Sequence, residues 1–323
     1  MEFENLKKLG ANEFVLSKIK DLDFNLYKPA RVFSQHSGIY RIAFSPTETH
    51  LSFLSGKLKK SVKSKNEIPV TGDWVIAENK KYEKFPILKV IERYSKIERD
   101  YPEKKYKQVL AANIDVAFLV ISADKENFSE EKIKNYFNLI IKNETDYVLI
   151  INKIDLAENK DFVLKTAENI GAEKEKIVLL DSLKKIGYES LNKWLIPFKT
   201  SVLIGHSGAG KSTIINNLYG KPIKKTKEIN MKNMKGKQTT TVRDMIILNN
   251  NHIIMDIPGI SFADNSSDIN KFEIIRAISH KCKFYDCKHF TEPDCAVKEA
   301  VKNNEIDPKL YEEYLIFLKN GKI

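Results

Sequence analysis

The chain has 323 residues, 42% of them hydrophobic and 30% charged, with a formal net charge of +11. That length suits roughly two or three domains with ample cores, and no apolar run is long enough to cross a membrane. The three cysteines all fall between positions 282 and 295. An odd number, without a signal peptide, argues against a disulfide framework and for a reducing cytoplasm.

Residues 1–30 read as a helical or irregular lead-in ending at Pro29. From 31 to 97, short alternating runs (31–33, 38–44, 50–54, 73–77, 87–91) are separated by turn formers, which predicts a small β-barrel. Residues 98–113 read as a charged connector. Strands and helices then alternate: Val116–Ser122, helix 129–142, strand 147–151, helix 160–170, strand 177–180, helix 187–195, Thr200–Ile204, helix 211–218, and a hairpin-like pair at 242–248 and 252–255. This alternation predicts a mostly parallel, doubly wound α/β sheet. From about 264 the chain reads as helical, over 269–280, 297–303 and 308–319. The expected division is 1–97 for lead-in and barrel, 98–263 for the α/β domain and 264–323 for a C-terminal helical domain.

Within the α/β domain, Gly205-His206-Ser207-Gly208-Ala209-Gly210-Lys211-Ser212 fits the phosphate-loop pattern G-x-x-x-x-G-K-[ST] between a predicted strand and helix. At average glycine usage, about one chain in a hundred of this length matches by chance. Backbone N–H groups and the helix N-terminus of such a loop attract phosphate. Lys211 is assigned to the β and γ phosphates and Ser212 to Mg²⁺. Earlier in the chain, Asn152-Lys153-Ile154-Asp155 follows an apolar strand. Asp155 there can accept the N1–H and amino hydrogens of guanine, a donor pair that adenine lacks. Asn152 would tie this loop to the phosphate loop, and the Lys153 stem would lie over the base. Asp181-Ser182 falls where the second base-contacting loop belongs, with Ser182 as the candidate contact. After the phosphate loop come Thr239-Thr240-Thr241 and Asp256-Ile257-Pro258-Gly259. Thr240 and Asp256 are expected near Mg²⁺, and the Gly259 N–H at the γ-phosphate. Ile260 stands where Ras-type enzymes carry the water-orienting glutamine, so Gln238 is the switch amide assigned to the water. Lys211, Thr240 and Gln238 thus form the expected catalytic group. Finally, Cys282-x4-Cys287-x-His289-x5-Cys295 supplies three thiolates and an imidazole. This donor set suits one closed, structural, tetrahedral Zn²⁺.

Small GTPases ordinarily carry the phosphate loop before the Asn-Lys-x-Asp tetrapeptide; here the order is inverted. That order, with Gly205 to Thr213 reading GHSGAGKST, the threonine triplet, Asp-Ile-Pro-Gly and the Cys₃His spacing, resembles the RsgA (YjeQ-like) family of circularly permuted, ribosome-dependent GTPases. Residues 68–75 (IPVTGDWV) and 107–115 (KQVLAANID) extend the resemblance over nearly the whole chain. It implies an OB-fold for the barrel, binding of GTP and GDP with Thr213 among the contacts, and slow hydrolysis stimulated by the small (30S) ribosomal subunit in late maturation. It further implies contact with ribosomal RNA and release of ribosome-binding factor A. Departures are Gln238, where the family often has histidine, and Asp181-Ser182, where Ser-Ala is usual.

Charge distribution agrees with an RNA partner. Lys57, Lys59, Lys60, Lys63 and Lys65 crowd one barrel segment, and eight basic residues against one acid lie between Lys221 and Arg243. Tyr40, Phe44, Phe53 and Trp74 can stack bases or fill the barrel. A monomer that does not engage a membrane is expected. The competing readings are another permuted ribosome-assembly GTPase, a phosphate-loop ATPase or kinase, and an RNA-binding module without significant hydrolysis.

Overall fold

The computed structural model describes residues 2–36, 38–62, 64–80, 82–100, 107–223, 243–257, 272–279, 281–282, 287 and 289–319. Lys63, Gln238, Thr240 with the rest of its triplet, Gly259, Ile260 and most of the basic 221–243 segment lie outside the described residues. The chain forms two compact units, Met1–Glu98 with Val109–Ile260, and Arg99–Gln108 with Ser261–Ile323.

In the first unit, β1 (Tyr27–His36), β2 (Ile39–Ser45), β3 (Glu48–Leu54), β4 (Trp74–Glu78) and β5 (Phe85–Val90) are hydrogen-bonded in the order β1-β2-β3-β5-β4. Pairing of β1 with β4, Ala30 opposite Val75, closes the ring. The result is the five-stranded barrel that the resemblance to an OB-fold implies. Period-2 alternation explains why β4 is buried on both faces. Val75 and Ala77 point inward with Val32, Tyr40, Ile42 and Ile87. Trp74 and Ile76 point outward under the lead-in, where Leu6, Leu9, Val15 and Ile19 cover them. The lead-in is thus two short helices, α1 (Glu2–Lys8) and α2 (Glu13–Ile19), the second capped by Asn12 accepting from the Val15 N–H. Of the four aromatics, Tyr40 fills the barrel, Phe44 packs beside it, Trp74 lies under the helices, and Phe53 is exposed. Lys57, Lys59 and Lys60 sit on a short helix, α3 (Gly56–Ser61).

The stretch expected as a connector contains β6 (Lys96–Asp100) and β7 (Lys107–Ala112), a separate two-stranded sheet. Beyond it run β8 (Val116–Ser122), α4 (Glu130–Lys142), β9 (Tyr147–Asn152), α5 (Lys160–Asn169), β10 (Ile177–Leu179), α6 (Tyr188–Asn192), β11 (Thr200–Ile204), α7 (Lys211–Tyr219), β12 (Arg243–Ile247) and β13 (Ile253–Asp256). Their sheet order is β10-β9-β8-β11-β13-β12. The neighbours are parallel except for β12, which runs antiparallel to β13. Residues of β8, β9 and β11 are buried throughout, as expected for parallel strands covered on both faces.

Barrel and α/β sheet are continuous: β12 also pairs with β1, Asp244 opposite Ser34. A buried polar knot reinforces the seam. Arg31, fully buried, donates from Nη2 to the Asn113 carbonyl (2.8 Å), from Nη1 to the Leu9 carbonyl and from Nε to the Gly72 carbonyl (3.3 Å). Asn113 Nδ2 also donates to the Gly72 carbonyl at 3.1 Å. Gly72 has φ +95°, and a Cβ there would lie 2.1 Å from the Ala112 carbonyl oxygen, so the close approach admits only glycine.

In the second unit, helices Glu273–Ser279, Ala296–Lys302 and Pro308–Lys319 enclose a small core of Phe272, Ile275, Val297, Ile306 and Tyr314. Cys282 and Cys295 belong to that core.

Candidate nucleotide site and metal cluster

The carboxyl ends of β9, β8, β11 and β13 point to one rim of the sheet, the rim at which open α/β sheets bind ligands. At its centre β11 delivers residues 205–210, and α7 starts at Lys211. Gly210 caps α7 with φ +98°; a Cβ there would come within 2.1 Å of Asn152 Nδ2. That approach is itself a bond: Asn152 Nδ2 donates to the Ala209 carbonyl at 2.8 Å, and Asn152 Oδ1 accepts from the Ser182 N–H at 3.1 Å. One buried amide therefore links the phosphate loop, the Asn152–Asp155 loop and the loop after β10.

Lys211 is buried and folds back over the loop, donating to the carbonyls of Gly205 (2.7 Å) and His206 (2.9 Å). Burial lowers its pKa to about 8, against the opposing pull of the Asp256 carboxylate. Ser212 and Thr213 lie in the first turn of α7. Asp256 is buried at the end of β13, opposite Leu203 of β11. His206 Nδ1 lies 2.9 Å from the Ser207 carbonyl, and burial holds the imidazole below its usual pKa. Ser207 and Gly208 are exposed at the loop tip.

Lys153 has left-handed backbone, φ +57°. Its Nζ lies 3.4 Å from Asp124 Oδ2. Asp155 is exposed, with Lys184 Nζ 3.8 Å from its Oδ2. Ser182 is buried; its carbonyl accepts from Asn217 Nδ2 at 2.6 Å. The preceding Asp181 shapes this loop, its Oδ1 accepting from the Leu183 (3.1 Å) and Lys184 (3.0 Å) N–H groups. The structure thus assembles Asn152, Lys153, Asp155, Ser182, residues 205–213 and Asp256 on one rim. Asp181 stands beside Ser182 in the loop the sequence singled out; Asp124, Lys184 and Asn217 join them without a motif to announce them. A carboxylate just past the end of a central parallel strand is the signal that would have singled out Asp124.

In the second unit, the ligand atoms of Cys282, Cys287, His289 and Cys295 all lie within 4.8 Å of one another. Cys282 Sγ is 3.8 Å from Cys295 Sγ and 3.6 Å from His289 Nδ1, which is 3.3 Å from Cys295 Sγ. Tyr311 donates its hydroxyl to the His289 carbonyl, fixing the ligand-bearing turn. This cluster can hold a metal ion.

Comparisons with known proteins agree with this geometry. The RsgA GTPase family profile matches residues 90–265. A Leptospira interrogans protein named small ribosomal subunit biogenesis GTPase RsgA is 34% identical over 299 residues, covering 89% of this chain and 80% of that protein. One of the same name from Xylella fastidiosa is 30% identical over 301 residues, 92% of this chain and 88% of the relative. The solved structure of YjeQ from Thermotoga maritima matches with a TM-score of 0.54 at 27% identity, over 91% of this chain and 98% of that one. The matched profile, the relatives' near-complete coverage and the shared fold place this chain in the RsgA GTPase family.

Proposed function

We propose that this chain binds and hydrolyses GTP as a switch in small ribosomal subunit biogenesis. The observation that carries this reading is the Asn152 bridge, which joins a phosphate loop to a guanine-reading tetrapeptide at one sheet rim. Asp155 recognises the guanine edge, and Lys153 covers the base. Ser182 supports the base loop through its N–H bond to Asn152. Gly205 to Gly210 wrap the phosphates with backbone N–H groups. Lys211 exchanges the loop's own carbonyls for phosphate oxygens, a stronger partner for a buried ammonium. Ser212, Asp256 and Thr240 offer the hard oxygen donors that Mg²⁺ prefers, and bound there it neutralises phosphate charge. The Gly259 N–H senses the γ-phosphate, and Gln238 orients water.

The thiolate-rich Cys₃His set fits structural Zn²⁺. Tetrahedral zinc with bonds of about 2.3 Å to sulfur and about 2.0–2.1 Å to nitrogen would space its ligands roughly 3.5–3.8 Å apart; the separations among Cys282, His289 and Cys295 are 3.3–3.8 Å, and all four ligand atoms lie within 4.8 Å of one another. The four protein groups would fill all four positions of a bound zinc, which would then hold the fold together and leave catalysis to the first unit. Basic segments at 57–65 and 221–243 grip ribosomal RNA, hydrolysis triggers release from the subunit, and the chain takes part in releasing ribosome-binding factor A.

Competition of GTP and ATP against a fluorescent guanine nucleotide tests the base assignment. GTP should displace the probe at least about a hundredfold more effectively, because adenine leaves Asp155 unpaired. Equal or preferential displacement by ATP contradicts it.

A further inference from the structure

We propose that Asp124 is a positioning residue for guanine nucleotide, acting through Lys153. The inference rests on the nucleotide reading above and adds a residue that no motif contains.

Asp124 follows β8, and its place is fixed relative to the guanine-reading loop by the backbone. Ser122 pairs in register with Asn152, and the Ala123 N–H donates to the Asn152 carbonyl at 2.8 Å. The Asp124 carboxylate is then held from three sides. Ser122 Oγ donates to Oδ2, the Asn127 N–H donates to Oδ1 at 3.1 Å, and Asn127 Nδ2 donates to the same Oδ1. The fourth contact is the Lys153 ammonium, 3.4 Å from Oδ2, with both side chains only 19% exposed. Burial alone would raise the carboxyl's pKa, but the hydrogen bonds from Ser122 and Asn127 and the Lys153 charge outweigh it and hold the group ionised.

Three neutral donors orient the carboxylate, leaving its charge to one cation. That cation sits on a residue with φ +57°, an unfavourable backbone for lysine. An anchored ammonium loses less rotamer freedom when its stem must lie flat beside a base. Without Asp124, Lys153 retains its charge but samples more conformers, and the wall of the base site loosens. The phosphate loop senses Asp124 through the charge felt at His206, while its own hydrogen bonds, from Asn152 to Ala209 and from Lys211 to Gly205 and His206, stay in place.

Binding of fluorescent GDP and of inorganic tripolyphosphate to the full chain with Mg²⁺ tests this, using the unaltered protein, D124A, D124N, K153M and D124A/K153M. D124N retains the shape and a hydrogen-bonding side chain but removes the charge, so it separates a role through Lys153 from a role in the turn alone. The expected result is GDP affinity about fivefold lower in both Asp124 variants, through faster dissociation, with tripolyphosphate affinity changed less than about twofold. In the K153M background, D124A should cost less than about twofold more. The proposal is overturned if D124N binds GDP like the unaltered protein, if tripolyphosphate binding falls in parallel, or if D124A is as costly with Lys153 removed as with it present. Failure of the unaltered chain to bind GDP while binding tripolyphosphate would instead overturn the guanine reading itself.

Discussion

Lys211 shows how one residue carries both recognition and instability. Its ammonium is buried against two backbone carbonyls, and burial lowers the pKa to about 8 from 10.5. An unfolded chain therefore binds more protons than the folded one between those values, so stability rises with pH across that window and the penalty is complete below it. In nucleotide-free protein, the stability of the unaltered chain relative to Lys211→Met, measured by denaturant unfolding, should rise by about 3 kcal/mol between pH 7 and pH 10.5. A constant difference from pH 7 to 10.5 would show that the lysine is not strained in this way. The same variant should lose nucleotide binding, since the group that destabilises the fold is the one assigned to the phosphates. The motif spacing made Lys211, Asn152 and Asp155 legible from sequence. It could not reveal Asp124, whose contacts arise from strand register and a local turn.

Among the elements, those governed by local pattern were the easiest to read. Apolar runs such as Val116–Ser122 and Thr200–Ile204 are buried on both faces and lie in a parallel sheet. Strand β6 escaped notice because its charged residues obscure alternation, and β7 because its short apolar run, Val109–Ala112, does not alternate, while ladder bonds depend only on backbone. Strand β1 was underestimated for a related reason: the fully buried Arg31 and Pro29 interrupt its apolar pattern. Arg31 is the element-scale keystone, linking the carbonyls after α1, before β4 and before β8. Arg31→Leu would strand the Leu9 and Asn113 carbonyls in the interior, at about 2–4 kcal/mol. Arg31→Lys should fare little better, because one ammonium cannot reach three divergent acceptors. Chemical denaturation of both variants checks this; a loss below about 0.5 kcal/mol would show that water or neighbouring groups satisfy those carbonyls.

For the molecule as a whole, the barrel and the α/β domain share one continuous sheet. Strand β12, which follows the switch segment in sequence, pairs on one edge with β13 and on the other with β1 of the barrel. The strand leaving the switch is therefore part of a sheet shared with the barrel, a continuity that motif order alone does not disclose. The C-terminal unit has a small core in which Cys282 and Cys295 are packed, so its folding should depend on metal. Chelation, or Cys282→Ser, is expected to abolish the helical circular dichroism of that unit while guanine nucleotide binding by the first unit persists; retained helicity after complete metal removal would contradict a structural metal. The central claim, a GTPase switch that works on the small ribosomal subunit, is tested most directly by GTP turnover measured with and without purified small subunits. The account predicts slow turnover alone, raised at least about tenfold by small subunits and abolished by Lys211→Ala. Turnover unchanged by the subunit, or surviving Lys211→Ala, would contradict it.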